Sequence, residues 1–396
     1  MVRFITDHGR TIDLGKRLGE GGEGVVYEVT GMPLVAKLLF APADPQDLAR
    51  RLASLMRLRL SARMPRLLGG EQPRVAWPVE TGRGLSSRPS ADPVPGFLIP
   101  DMRQWFRPLS VLLQPGPRST WFPSATWDTS LAAAASLAGL IADLHEAGFV
   151  VGDLKPANLW VNGAGDIGIS DIDSFQFADG IGTFPCLSRT PDYTAPELIS
   201  DGNALPSPSA DDFVLAVLIY QLLMDGMHPF SGIPADGTRY ISIDDNITHG
   251  RARVARPDAV LAMPGAPPLW ALPKRLRRGL FDRCFRDVGS TGVADRPAAL
   301  DWVDALMAER APERLRTCRA DPRHRHTVER PWCPWCDAAQ LSRLIPKTGI
   351  YYTFWHSSIR GKRRALTFAQ RVRYGLIDSG ASGLWERGVG GCLLLL

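Results

Sequence analysis

Val151-Gly152-Asp153-Leu154-Lys155-Pro156-Ala157-Asn158 sets an acid, a base and an amide at fixed offsets on one short loop. A second acid, Asp171 in Ile169-Ser170-Asp171-Ile172-Asp173, follows thirteen residues after Asn158, on what reads as the next hairpin. These groups suffice to orient a hydroxyl nucleophile and to hold two metal ions around a triphosphate. Asp153 as a turn residue and Asn158 as a turn cap are the plain alternatives. Four such residues at these offsets between predicted strands favour the chemical reading.

The rest of the chain is read outward from that loop. Residues 10–40 form β-type runs, at Thr11–Leu18, Val25–Val29 and Leu34–Phe40. An amphipathic helix is expected over 46–60, with apolar positions at Leu48, Leu52, Leu55 and Met56. Residues 72–102 are rich in Pro and Gly, with short strands such as Gly96–Ile99. Helices are expected over 130–147, 210–225, 271–286 and 296–309, with a long loop at 226–270. Gly19-Glu20-Gly21-Gly22-Glu23-Gly24-Val25-Val26 fits G-x-G-x-x-G-x-V, whose backbone amides approach phosphates without Cβ clashes. A second strand then carries Val35-Ala36-Lys37, with apolar neighbours that favour burial of the lysine stem.

Size and composition set the class. The 396 residues, 45% hydrophobic and 22% charged, allow one large or two medium soluble domains with real cores. The first residues contain no apolar leader-like run, and the longest apolar run, Phe213–Met224, is shorter than a membrane span. A cytoplasmic protein without membrane contact is expected. Six cysteines do not make a disulfide framework, and a net charge of +5 does not by itself argue for nucleic acid.

The motifs, taken in order over about residues 10–310, resemble the protein kinase family, with its patterns H-R-D-x-K-x-x-N and D-F-G. Thr190-Pro191-Asp192-Tyr193-Thr194-Ala195-Pro196-Glu197 is similar to that family's G-T-P-E-Y-x-A-P-E. Asp211-Asp212-Phe213-Val214-Leu215-Ala216-Val217 is similar to D-x-W-S-L-G-V, and Gly226-Met227-His228-Pro229-Phe230 matches the motif that closes that helix. Arg296-Pro297 supplies the late arginine that, in that family, pairs with the residue at the Glu197 position.

The resemblance implies an α+β, bilobal kinase-like fold, with a β-rich N-lobe and hinge at 1–102 and a helical C-lobe at 103–310. It implies ATP and magnesium, with manganese as a substitute, and transfer of the γ-phosphate to Ser/Thr of a protein substrate. Asp153 would receive the hydroxyl proton, Lys155 would neutralise the transferring phosphoryl group, and Thr190 would contact both. Asn158 and Asp171 would hold magnesium. Gly19, Gly21, Gly24, Val26 and Lys37 would surround the phosphates, with Ile99 as gatekeeper and Met102 offering a hinge amide.

Three departures stand out. The helix at 46–60 carries no glutamate for Lys37; its acid, Asp47, either pairs with the lysine or favours the helix N-terminus, and the second role is preferred. Val151-Gly152 replaces His-Arg, which removes the arginine that binds an activation-loop phosphate. Asp173 replaces the D-F-G glycine, as a further metal ligand or a turn cap. These departures motivate the alternative of a pseudokinase that binds nucleotide or a partner without transferring phosphate.

Cys318-x5-His324 and Cys333-Pro334-Trp335-Cys336 have ligand spacing for one tetrahedral structural zinc, placed in a module at 311–340. A redox pair is the alternative. His326 competes with His324 as the fourth ligand. With the Val-Gly-Asp and Asp-x-Asp-Ser loops, this tail resembles a bacterial group of atypical kinases with helix-hairpin-helix or zinc-containing C-termini. That group's pattern favours His324. It also implies association with tellurite-resistance-type von Willebrand factor A proteins and PP2C-like phosphatases. Residues 341–396 include the basic stretch Arg360, Lys362, Arg363, Arg364, Arg371 and Arg373, a solvated face or a nucleic-acid contact.

Overall fold

In a computed structural model, residues 2–40, 45–60, 64–69, 72–85, 94–239, 242–263, 266–286 and 292–344 are described. The basic stretch after residue 344 lies outside them. Strands β1 (Val2–Thr6), β2 (Thr11–Glu20), β3 (Gly24–Val29), β4 (Leu34–Leu39), β5 (Glu80–Leu85) and β6 (Val94–Pro100) close an antiparallel barrel in the order β1-β2-β3-β4-β6-β5. Period-two alternation fills it with Phe4, Ile12, Leu14, Val29, Ala36, Leu38 and Leu98. The opposite face of β4 therefore presents Val35, Lys37 and Leu39 towards α1 (Pro45–Leu58), where Val35 and Leu39 pack with Leu52, Phe97 and Ile99. Strand β1 was not among the expected elements. Its signal is the alternation that buries Phe4 and Thr6, followed by the Asp7–Arg10 turn with Gly9 at φ 80°.

Beyond the hinge the chain is mostly helical. Helix α2 (Trp127–Glu146) and helix α3 (Pro208–Leu223) pack together in the main core, and α3 is buried from Ala210 to Leu223. Pro208 opens α3 and the Ser207 hydroxyl accepts from the Ala210 amide, so the start is fixed by N1 proline and cap. Three expectations need correction. The helix read at 271–286 begins only at Arg275, because Pro273 disfavours helical backbone at Leu272; it starts as a π-helical segment, Arg275–Phe281, and continues as Asp282–Phe285. The 226–270 segment is not all loop: it contains a helix at Ile243–Thr248, capped by Ser242, and a strand pair, Ile233–Pro234 with Val260–Leu261. Helix α4 (Ala299–Glu309) starts after Pro297 rather than at 296, and packs on α2.

Short strands position the chemistry. Strands β7 (Arg107–Pro108), β8 (Leu159–Val161) and β9 (Ile167–Ile169) form one small sheet, and the loops on either side of β8–β9 carry Asp153–Asn158 and Asp171–Asp173. Strands β10 (Phe177–Ala178) and β11 (Thr183–Phe184) pair after the second loop. Strands β12 (Leu315–Thr317) and β13 (Arg325–Thr327) with α5 (Pro334–Leu344) form the C-terminal segment, which packs on the kinase-like core through Trp335 against Trp127, at 6.4 Å between ring centroids. Arg310 and Arg325 both reach Asp128 at the start of α2.

The loop after α3 is closed by a buried histidine. His228 Nδ1 accepts from the Phe230 amide at 3.2 Å, and its Nε2 meets the Asp192 carbonyl at 3.0 Å, an arrangement that suits the neutral ring. Burial pushes its pKa down to about 3, against a smaller upward pull from that carbonyl. A folded pKa below the unfolded one gives stability that is complete above pH 6.5 and lost as pH falls towards 3. Unfolding free energy should drop by about 3 kcal/mol between pH 7 and 4 through this residue. Denaturant titrations of the wild type and His228→Asn across that range should show a shallower acid slope in the variant.

Candidate active site

The Val151–Asn158 loop is held from below by a buried carboxylate. Asp211, on α3, accepts from the Val151 and Gly152 amides at 2.7 and 2.9 Å, and His145 of α2 lies 3.1 Å from the same carboxylate. Gly152 has φ +74°, and a Cβ there would lie 2.6 Å from Cys186 Sγ and 3.0 Å from Pro206. The place of the expected arginine is therefore closed by packing, with Cys186 buried and its thiol pushed up to about 11 by burial.

On this base the structure brings Asp153, Lys155 and Thr190 together. Asp153 Oδ1 accepts from the Thr190 hydroxyl at 2.7 Å, and its Oδ2 from Lys155 Nζ at 2.5 Å; Lys155 also reaches Thr190 at 3.1 Å. Asn158 donates from Nδ2 to the Asp153 carbonyl at 3.3 Å, so that bond does not use Oδ1, the atom that ligates a cation. Bidentate Arg296–Glu197 contacts at 2.7 Å, with a bond from Arg296 to the Ser209 carbonyl, fix the segment after Thr190 against α3.

Across the cleft, Lys37 reaches Asp171 Oδ1 at 2.5 Å and both oxygens of Asp173, at 2.8 and 2.9 Å, with Glu23 at 3.7 Å. Burial opposes the lysine's charge, but Asp173 and Asp171 more than offset it and hold its pKa above the ordinary value. Asp173 is itself pushed up, first by burial and then by Asp171 and Glu23, with Lys37 opposing. Glu23, Asp171 and Asp173 lie close enough together to share a cation.

Asp47 instead accepts from Arg50 at 3.1 Å. What α1 sends towards this loop is Arg51, which donates to the carbonyls of Asp173, Phe175 and Pro185 at 3.2, 2.7 and 2.7 Å. It also lies 5.8 and 5.4 Å from the rings of Phe177 and Phe184. Sequence reasoning missed Arg51, although its spacing from Leu48 and Leu55 puts it on the apolar face.

The glycine-rich hairpin spans β2 and β3, with Gly19 opposite Val26 and the Gly21 amide bonded to the Gly24 carbonyl at 2.9 Å. A Cβ on Gly24 would meet the Leu38 carbonyl at 2.3 Å, so close packing explains this glycine. At Gly19 and Gly21 a Cβ would meet none of the described residues within 4 Å, so packing among them does not explain these glycines. Ile99 packs in the layer beneath α1, and Met102 opens a 3-10 turn after the hinge with its side chain against Gly168.

A second cluster joins Cys318, His324, Cys333 and Cys336. Cys318 Sγ and Cys336 Sγ are 3.7 Å apart, and His324 Nδ1 lies 3.6 and 3.5 Å from Cys333 and Cys336. His326 is buried with its Nδ1 on the Thr327 carbonyl, outside this cluster.

The two lobes, with the Asp153 loop and the lysine–carboxylate cluster between them, define a kinase-type fold. The chain belongs to the protein kinase family: a model of the protein kinase domain matches residues 124–323. It is 30% identical over 350 residues to protein kinase YegI of Escherichia coli (strain K12), covering 85% of this chain and 50% of that protein. It is 32% identical over 132 residues to serine/threonine-protein kinase PknL of Mycobacterium tuberculosis (strain ATCC 25618 / H37Rv), covering 33% of this chain and 30% of that one. The chain thus spans about half the length of YegI, and its match to PknL covers 30% of that protein. A solved structure, the ROP18 kinase domain in complex with AMP-PNP and sucrose, shares the fold with TM-score 0.51 and 18% identity, covering 78% of this chain and 83% of that one. Among the described residues no helix is long and apolar enough to cross a membrane.

The closed pocket at Gly152 makes a direct prediction. Gly152→Ala should cost about 2–3 kcal/mol through left-handed strain and the Cys186 clash. Urea unfolding of the two proteins measures it, and an unchanged midpoint would contradict the packing.

Proposed function

We propose that the protein transfers the γ-phosphate of ATP to serine or threonine hydroxyls of a protein substrate. The single observation that carries this reading is the convergence of Lys155 and Thr190 on the Asp153 carboxylate. In it, Asp153 orients the acceptor hydroxyl and takes up its proton, and Lys155 offsets charge on the moving phosphoryl group. Asn158 and Asp171 are the residues to hold magnesium or manganese, which supplies positive charge at the phosphate oxygens when bound. Gly19 and Gly21 fit a backbone that a phosphate must approach, since no described residue would meet a Cβ at either. With Gly24, Val26 and Lys37 they make up the phosphate side, and Ile99 and Met102 the adenine side.

We read the enzyme as one whose activity does not depend on a phosphorylated activation loop. Gly152 and Cys186 fill the place where an arginine would bind such a phosphate. A cytoplasmic setting and the lobe limits at 102 and 310 belong to the same proposal. Partners of the von Willebrand factor A and PP2C types rest on the family resemblance alone.

The Cys318, His324, Cys333 and Cys336 cluster suits a structural zinc. Tetrahedral bonds of about 2.3 Å to sulfur and 2.0–2.1 Å to nitrogen imply S···S edges of about 3.8 Å and S···N edges of about 3.5 Å. The separations of 3.7, 3.6 and 3.5 Å match those edges. Because the segment packs on Trp127 and Asp128 of α2 through Trp335 and Arg325, zinc would brace the helical lobe.

Two measurements test the reading. Radiolabel transfer from γ-labelled ATP should fall by about 10³-fold or more in Asp153→Ala; equal incorporation in both proteins would favour the pseudokinase. Elemental analysis should find about one zinc per chain, and Cys333→Ser should lose the metal and unfold at lower temperature. A metal-free wild type at full stability would remove the zinc assignment.

A further inference from the structure

We infer that Asp173 is the positioning residue for Lys37, taking the place of the missing helix glutamate, and that Arg51 fixes the loop from which it acts. This deepens the kinase reading of the same site and rests on it. Three observations carry it. Asp173 grips Lys37 with both oxygens, at 2.8 and 2.9 Å, whereas Asp171 offers one. The two side chains differ in exposure, 5% for Asp173 and 27% for Asp171, so Asp173 sits behind the lysine and Asp171 faces the cleft. Helix α1 contains no glutamate, and its buried Arg51 bonds the Asp173 and Phe175 backbone instead.

The geometry divides the labour between two neighbouring acids. A buried ammonium needs anionic partners whether or not nucleotide is present, and only a carboxylate on its protein side can serve without competing with phosphate. Asp173 meets that requirement. Substituting acid for glycine supplies it from the metal loop, so the anchor no longer moves with α1. Arg51 then joins α1 to that loop through neutral carbonyls, and Ile172, between the two acids, is buried in the same core as Leu55 of α1. Helix and loop are thereby held as one unit.

The alternative role for Asp173 is direct metal ligation, and the two separate cleanly. Binding of a fluorescent ATP analogue is measured in EDTA and in saturating Mg²⁺, for wild type, Lys37→Met, Asp173→Asn and the double variant. If Asp173 acts through Lys37, Asp173→Asn weakens metal-free binding by about tenfold, the worth of one charge-assisted contact. In the Lys37→Met background it should then add less than twofold, because the group it positions is gone. Asp173→Glu, which keeps a carboxylate, should recover part of the loss, and melting curves without nucleotide confirm that each variant is folded. Independent, multiplying effects of Lys37→Met and Asp173→Asn would overturn the proposal. So would unchanged metal-free binding with a several-fold rise in the Mg²⁺ needed for half saturation. The binding cycle is read without turnover, so it stands apart from the radiolabel comparison with Asp153→Ala. A protein that binds but never transfers phosphate would sink the kinase reading and leave this one standing.

Discussion

A lysine ammonium taken out of water must find anions, and the buried Lys37 finds them on the opposite lobe. Its strand is set by the barrel, where alternation places Ala36 and Leu38 inside and turns Lys37 towards the cleft. Its partners, Asp171 and Asp173, come from the loop after β9. Desolvation of either side alone would be costly, so each lobe supplies what the other needs. The same contact ties the strand beside the glycine-rich hairpin to the Asp171–Asp173 loop, which Arg51 of α1 also holds.

The C-lobe meets a comparable demand with backbone amides. The Val151 and Gly152 amides and His145 converge on Asp211, a carboxylate buried in α3. Satisfying that carboxylate fixes the start of the Val151–Asn158 loop, and Asp153 follows at once. Arg296 performs the equivalent task for the segment after Thr190, pairing with Glu197 while bonding the Ser209 carbonyl near the start of α3. Helix α3 therefore acts as a post from which the Asp153 loop and the segment after Thr190 both hang. The cysteine–histidine segment extends this scaffold, since Trp335 and Arg325 lie on the first turn of α2.

Much of the fold was legible because its signals are local. Glycine at 19, 21 and 24 followed by Val35-Ala36-Lys37 marks a hairpin and a strand, and the apolar spacing of 48, 52, 55 and 56 marks a helix. Helix limits drifted where proline intervened, at Pro273 and Pro297, and strand β1 was overlooked because five residues carry little periodic signal. The candidate site was readable as residue types at offsets. The pairing within it was not: the missing glutamate and the extra Asp173 were both visible, yet nothing in their spacing showed that one answers the other.

Sequence alone determined which chemistry-bearing groups this chain possesses, because residue types at short fixed offsets on one loop keep their relation however the loop is packed. Asp153, Lys155 and Asn158 are of that kind. Tertiary structure decided which carboxylate meets Lys37, what fills the space beside Gly152, and which histidine joins the cysteines. Those choices link residues far apart in the chain, such as Lys37 with Asp173 and Gly152 with Cys186. They depend on burial and on competition for partners, which exist only once the chain has closed around them.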